Sequence, residues 1–298
     1  MSPAPRLALS SPIVVQFPGQ CSPWEAAAGI EDLALIAETA DRLGFDHLTC
    51  SEHTAVPAEA AQVRGATYWD PIATLSYLAA RTTRIRLATS VLVLPYHHPL
   101  EIAKRYGTLD RISGGRVVLG VGVGSLTEEF ELLDAPWAGR GDRADDAIEA
   151  LRASFSMREP AYAGTHYNFS GMVVEPHGLQ PRVPIWVGGR TMRSLRRAVR
   201  AGDGWMPFGI RTADLKIMLA QVDSPPDFEV VLPTGALDPL GEPERVVRRL
   251  SALAGAGATL AGCTVVAESA AHYCEQLAAL VELSGRSARD GADERTGE

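Results

Sequence analysis

The chain has 298 residues, of which 46% are hydrophobic, and a formal net charge of −8. That length supports one large core or two small ones, and the acidic balance argues against a nucleic-acid partner. No apolar run approaches the roughly eighteen residues of a membrane span, and the opening MSPAPRLALSSPIVV lacks the basic-then-apolar layout of a secretory leader.

In chain order, strand-like apolar runs alternate with helical patterns. IVVQF at 13–17 is the first predicted strand. A helix follows over 31–43, where Leu33, Ile36, Ala37, Ala40 and Leu43 share one face. Further strands are predicted at 46–51, 85–94, 117–124, 184–188, 204–208, 228–232 and 262–266. The helices between and after them fall at 70–81, 98–111, 141–155, 192–201, 211–221, 243–254 and 269–283. Eight strand–helix units in one domain over 1–283 predict an α/β fold, a (β/α)8 barrel; an open doubly wound sheet is the alternative. The polar, glycine-rich tail from about 284 is expected to be disordered.

In a barrel, the long connections 53–69 and 125–140 lie on the C-terminal face, where active sites form. Segment 156–183 enters the fifth strand from the other face, and its alternation predicts a hairpin insertion there. Four cysteines without CxxC spacing (Cys21, Cys50, Cys263, Cys274) suit a reduced, cytoplasmic protein. The two lysines, Lys104 and Lys216, fall in helical segments, which argues against a Schiff-base lysine at a strand end.

The fourth strand, GRVVLGVGVGS, places Gly120, Gly122 and Gly124 at every second position. Val117, Leu119, Val121 and Val123 share one face, which packs outward on helices, while Val118 and the glycines face inward. Either a large residue from a neighbouring strand fills that space or a flat ligand lies against the backbone; the blank positions reach the C-terminal end, which favours the ligand. The spacing is GxGxG and not the dinucleotide GxGxxG.

The second strand runs into Ser51-Glu52-His53, and a histidine at a strand's C-terminal lip can exchange a proton near neutral pH. His97 and His98 are adjacent, point apart on an extended segment and make a poor metal pair, so no metal site is expected. The fifth strand ends in Gly188-Gly189-Arg190-Thr191 before a helix, an anion site with free N–H groups and a positive dipole end. Arg193, Arg196, Arg197 and Arg200 recur at helical spacing, as on a solvated face.

SEH at the second strand, DPIATLSYLAARTTRIRLATSVLVLPYHHP, LDRISGGRVVLGVGVG, PIWVGG and AGDGW together resemble the luciferase-like monooxygenase superfamily. More narrowly, they resemble the coenzyme F420-dependent oxidoreductases of actinobacteria, over residues 10–210. The resemblance implies a barrel, often a homodimer, holding a flavin or deazaflavin at its mouth, and a small-molecule substrate. It implies a bulge with a non-proline cis peptide at Ser90-Val91. It makes His53 the proton-handling residue, with Glu52 before it in the cofactor site. Gly122, Gly124 and Ser125 are placed beside the ring and side chain of the cofactor, and Gly188, Gly189, Arg190 and Thr191 at its phosphate. Phe17, Tyr68 and Trp69 either line the substrate pocket or pack as core or lid. Two departures stand out: Ser125 takes the place of a catalytic glutamate found in the family's sugar-phosphate dehydrogenases, and TAVP replaces their tryptophan after the histidine. Glucose-6-phosphate is therefore a poor substrate guess. The expected function is a coenzyme F420-dependent hydride transfer; the alternatives are an FMN-dependent monooxygenase and a cofactor-binding protein without turnover.

Overall fold

A computed structural model describes residues 4–19 and 21–285. The chain begins with β1 (Arg6–Leu9), α1 (Ile30–Arg42), β2 (His47–Cys50), α2 (Ala58–Arg64) and α3 (Pro71–Arg81). It continues through β3 (Arg86–Thr89), β4 (Leu92–Val93), α4 (Pro99–Ser113), β5 (Val117–Gly122), α5 (Thr127–Leu132) and α6 (Arg140–Ser154). A small hairpin, β6 (Tyr162–Ala163) with β7 (Asn168–Phe169), precedes β8 (Ile185–Gly188), α7 (Met192–Ala201) and β9 (Gly204–Met206). The last elements are α8 (Thr212–Leu219), β10 (Glu229–Leu237), α9 (Pro243–Gly255), β11 (Leu260–Val265) and α10 (Ala270–Leu283).

The strands pair in the order β3-β2-β1-β11-β10-β9-β8-β5-β4, and β3 also pairs with β5. That last pairing closes the sheet and removes the open-sheet alternative. Because β3 and β4 are two halves of one barrel strand, the cylinder has eight parallel strands. Local chemistry sets the helix ends. Asp70 caps α3 by accepting from the Ala73 N–H, with Pro71 in the first turn, and Gly114 closes α4 in the left-handed region at φ 71°.

The first strand is not IVVQF but RLAL at 6–9, which pairs with β11 and β2. Both runs are apolar, and only pairing with distant strands, Leu9 with Leu48 of β2 and with Cys263 of β11, distinguishes them. The 85–94 run is broken at Ser90–Val91, a cis peptide. The 162–169 hairpin forms as expected. Helices α2 and α5 were not anticipated, since each is short and buries little. Of the polar tail, 286–298 lies outside the described residues.

The barrel interior is filled from below. Ala88, Val118, Trp186, Met206, Val231 and Leu260 form an apolar layer, one residue from each of six strands. Beneath it the N-terminal strand ends carry an ionic layer: Arg6 and Arg86 bind Asp46 and Glu229, and the Trp186 indole donates to Glu229. Burial pushes the Asp46 carboxyl up, but the His47 bond and the charges of Arg86, His47 and Arg6 outweigh it and hold it well below the usual range. With middle and bottom occupied, the C-terminal mouth is left for chemistry. No helix among the described residues is long and apolar enough to cross a membrane.

Candidate active site at the barrel mouth

The segment misread as the first strand has its own task. Val15 forms an antiparallel bridge with Tyr68, the Gln16 N–H donates to the Thr67 carbonyl at 3.3 Å, and the Trp69 N–H donates to Val14 at 3.0 Å. This ribbon clamps the 53–69 connection over the mouth. Alternation along it sends Tyr68 toward His53, with ring centroids 4.5 Å apart, and toward Phe17 at 6.2 Å. Trp69 turns the other way and packs against the main core. Of the three aromatics, Phe17 and Tyr68 flank the site and Trp69 does not.

His53 is held by a residue the sequence reading missed. Its Nδ1 lies 2.7 Å from Glu129 Oε2, and the Tyr96 hydroxyl donates to the same oxygen at 3.0 Å. Glu129 Oε1 accepts from the Thr54 N–H at 2.6 Å and the Ala55 N–H at 3.3 Å. The carboxylate is 1% exposed. Burial pushes its pKa up, yet the bond and charge of His53 and the Thr54 and Tyr96 donors bring it below the ordinary value. A permanent carboxylate at Nδ1 fixes the tautomer: Nδ1–H donates, and Nε2 keeps its lone pair for the mouth. TEEFEL did hold a signal, an acid adjoining the fully buried Phe130.

Glu52, expected in the cofactor site, has both carboxylate oxygens engaged within the protein. Oε2 accepts from the Val93 N–H at 2.7 Å and Oε1 lies 2.7 Å from His97 Nε2. Both oxygens therefore tie the Ser90–Val91 bulge to the end of β2, and Ser51 Oγ adds a bond to the Ser90 carbonyl at 2.6 Å. His98 is separate, capping α4 through the Leu100 N–H. Burial pushes His97 down, but its bond to Glu52 and the charges of Glu52 and Glu101 reverse this, so the net shift is upward. A base with a raised folded pKa contributes fully below its unfolded value of about 6.5 and loses that contribution as pH rises through the folded value. Chemical denaturation of wild type and Glu52→Gln should therefore show wild type ahead by about 1–2 kcal/mol at pH 6. The gap should close toward pH 9.

The inward glycines make room for the protein itself. A Cβ at Gly120 would sit 1.9 Å from the Thr89 carbonyl oxygen, at Gly122 2.6 Å from a Val91 methyl, and at Gly188 2.8 Å from the other. Gly124, at φ 78°, would meet the Phe130 ring at 2.4 Å. This corrects the expectation of bare main chain under a ligand: the bulge residue Val91 is wedged between Gly122 and Gly188. Gly124 lets α5 approach and so carries Glu129 to His53. The face a flat ring can meet is that of Ser90–Val91, both half-buried.

At the end of β8, Gly189 adopts φ 124° and lies against Ser194. Thr191 and Ser194 form a capping box, which leaves the first-turn N–H groups of Met192 and Arg193 without a side-chain cap. Arg190 is exposed and makes no ion pair among the described residues. The arginines of α7 behave otherwise: Arg193 pairs with Asp142, and Arg197 and Arg200 with Asp145, so most of that basic stripe joins α7 to α6. The parts present fit a phosphorylated redox cofactor: a supported bulge face, an uncapped helix start with a free cation, and an oriented imidazole.

Residues 12–282 match the sequence profile of the luciferase-like monooxygenase family. An uncharacterized protein of Mycobacterium tuberculosis is 33% identical over 199 residues, 63% of this chain and 68% of its own. Among solved structures, the monooxygenase RslO1 from Streptomyces bottropensis superposes with a TM-score of 0.71 at 23% identity, covering 93% of this chain and 98% of that one. An F420-dependent secondary alcohol dehydrogenase superposes at 0.74 with 14% identity, covering 95% and 99%. At these identities the structures are alike in fold.

Proposed function

The chain belongs to the luciferase-like monooxygenase family, and from that premise we propose that it is a coenzyme F420-dependent oxidoreductase moving a hydride to or from a small organic substrate. The observation that carries this reading is the His53–Glu129 pair, an imidazole with its outer nitrogen at the mouth and its inner nitrogen held at 2.7 Å by a buried carboxylate. Hydride transfer to or from a carbonyl, imine or alcohol needs one proton moved in step, and a tautomer-fixed imidazole supplies that exchange.

When bound, the deazaflavin supplies the two-electron hydride chemistry. The residues suited to hold it are Ser90 and Val91 on the ring side, with Gly189, Arg190 and the start of α7 for its phosphate. His53 Nε2 takes or returns the substrate proton, Glu129 and Tyr96 keep the ring oriented, and Tyr68 with Phe17 screens the site from water.

The test is a titration of the purified protein with coenzyme F420 and with FMN, followed by a panel of enones, imines and alcohols. Tight F420 binding and a change of its redox state with some member of the panel are expected. Preferential FMN binding with oxygen consumption overturns the reading, as does F420 binding with no turnover on any substrate class.

A further inference from the structure

We propose that Arg64 and Ser125 form a receptor for a carboxylate or phosphate-ester group, so that the substrate is an anionic molecule. Arg64 ends α2, and its guanidinium donates to Ser125 Oγ at 3.1 Å. Among the described residues it has no carboxylate partner, although the chain is acidic; Arg86 and Arg152, by contrast, are ion-paired, and Arg249, which also lacks a carboxylate, spends its guanidinium on the Pro233 and Thr234 carbonyls. Glu59, the acid on α2, makes no ion pair with it. Glu129 is committed to His53, Tyr96 and the Thr54 N–H.

The backbone beneath this cation is fixed, although the helix is not packed. No residue of α2 is buried. Its C-terminal end is instead pinned by Gly65, at φ 74°, where a Cβ would fall 1.9 Å from the Gln16 carbonyl oxygen. The Tyr68 hydroxyl donates to the Arg64 carbonyl at 3.0 Å. A firmly placed cation with an uncommitted charge is the arrangement of a binding group.

Placement ties it to the reaction. Tyr68 touches His53 on one side and the Arg64 main chain on the other, while Ser125 lies two residues before α5, the helix that carries Glu129. Ser125 Oγ accepts from Arg64, so its own O–H is free to donate to the same oxyanion. Phe17, 39% exposed and edge-on to Tyr68, adds an apolar wall that suits an aromatic or unsaturated acid. The inference rests on the proposed oxidoreductase only for the reaction, since anion capture is measured without turnover.

Calorimetric titration of the full chain, with and without cofactor, uses benzoate, phenyl phosphate and benzamide as probes. Wild type should bind at least one of the anions about tenfold more tightly than benzamide. Arg64→Met should abolish that preference and Arg64→Lys retain part of it, with cofactor affinity and melting temperature unchanged. Whichever anion binds better distinguishes carboxylate from phosphate ester. Equal or undetectable binding of all three by wild type overturns the proposal, and so does a preference that survives Arg64→Met. Lost cofactor affinity in that variant also overturns it, by assigning Arg64 to the cofactor. A protein that takes FMN but keeps the Arg64-dependent preference sinks the cofactor reading and leaves this one standing.

Discussion

His53→Ala lowers turnover about 10²–10⁴-fold with any substrate that wild type converts, while cofactor affinity stays within a few-fold. The expectation follows from position: the side chain is a proton carrier next to Tyr68 at the mouth with a fixed tautomer, and the 2.7 Å bond to Glu129 does the fixing. Glu129→Gln tests that mechanism without removing the imidazole. The amide oxygen can still accept from the Thr54 and Ala55 N–H groups, which turns its NH2 toward Nδ1. Nδ1 must then become the acceptor and Nε2 carries the proton, the wrong tautomer for a base. Turnover should fall about 100-fold through kcat, with little change in KM. If both variants turn over as wild type does, the proton is handled elsewhere and the site assignment fails.

The second large effect is on stability. Gly120→Ala places a methyl 1.9 Å from the Thr89 carbonyl oxygen, in the seam where β3 gives way to the bulge before β4. Neither side can yield easily. Thr89 is fully buried, its hydroxyl donates to the Gly120 carbonyl at 2.7 Å, and Met206 lies 3.7 Å away on the inner side. We expect a loss of about 3 kcal/mol or more, which lowers the melting temperature by roughly 6 °C or more. Gly255→Ala is the control. It sits at the end of α9 with nothing within 4 Å of a new Cβ, and alanine should leave stability unchanged or raise it by about 0.5–1 kcal/mol. Calorimetry on the pair settles the point: equal melting temperatures would mean that the seam tolerates a side chain and that the glycine is not there for closure.

The sequence by itself determined the helices of the barrel and the alternation of β5. Helices such as α1, α3, α4 and α7 lie within two residues of their predicted bounds, because their periodicity, prolines and caps act between neighbours in the chain. The inward direction of Gly120 and Gly122 was also legible, since a strand's side chains alternate whatever surrounds it. Only the tertiary structure decided the rest. RLAL and IVVQF are equally apolar, and the choice of first strand was made by β11 and β2 closing a cylinder. What fills the space before the glycines was settled by Val91 and Phe130, on other elements. Glu129 meets His53 across a sequence separation of 76, and no local pattern records which of several acids will be buried there. Pairing and burial are long-range energies, so they belong to the assembled barrel and not to any window of the chain.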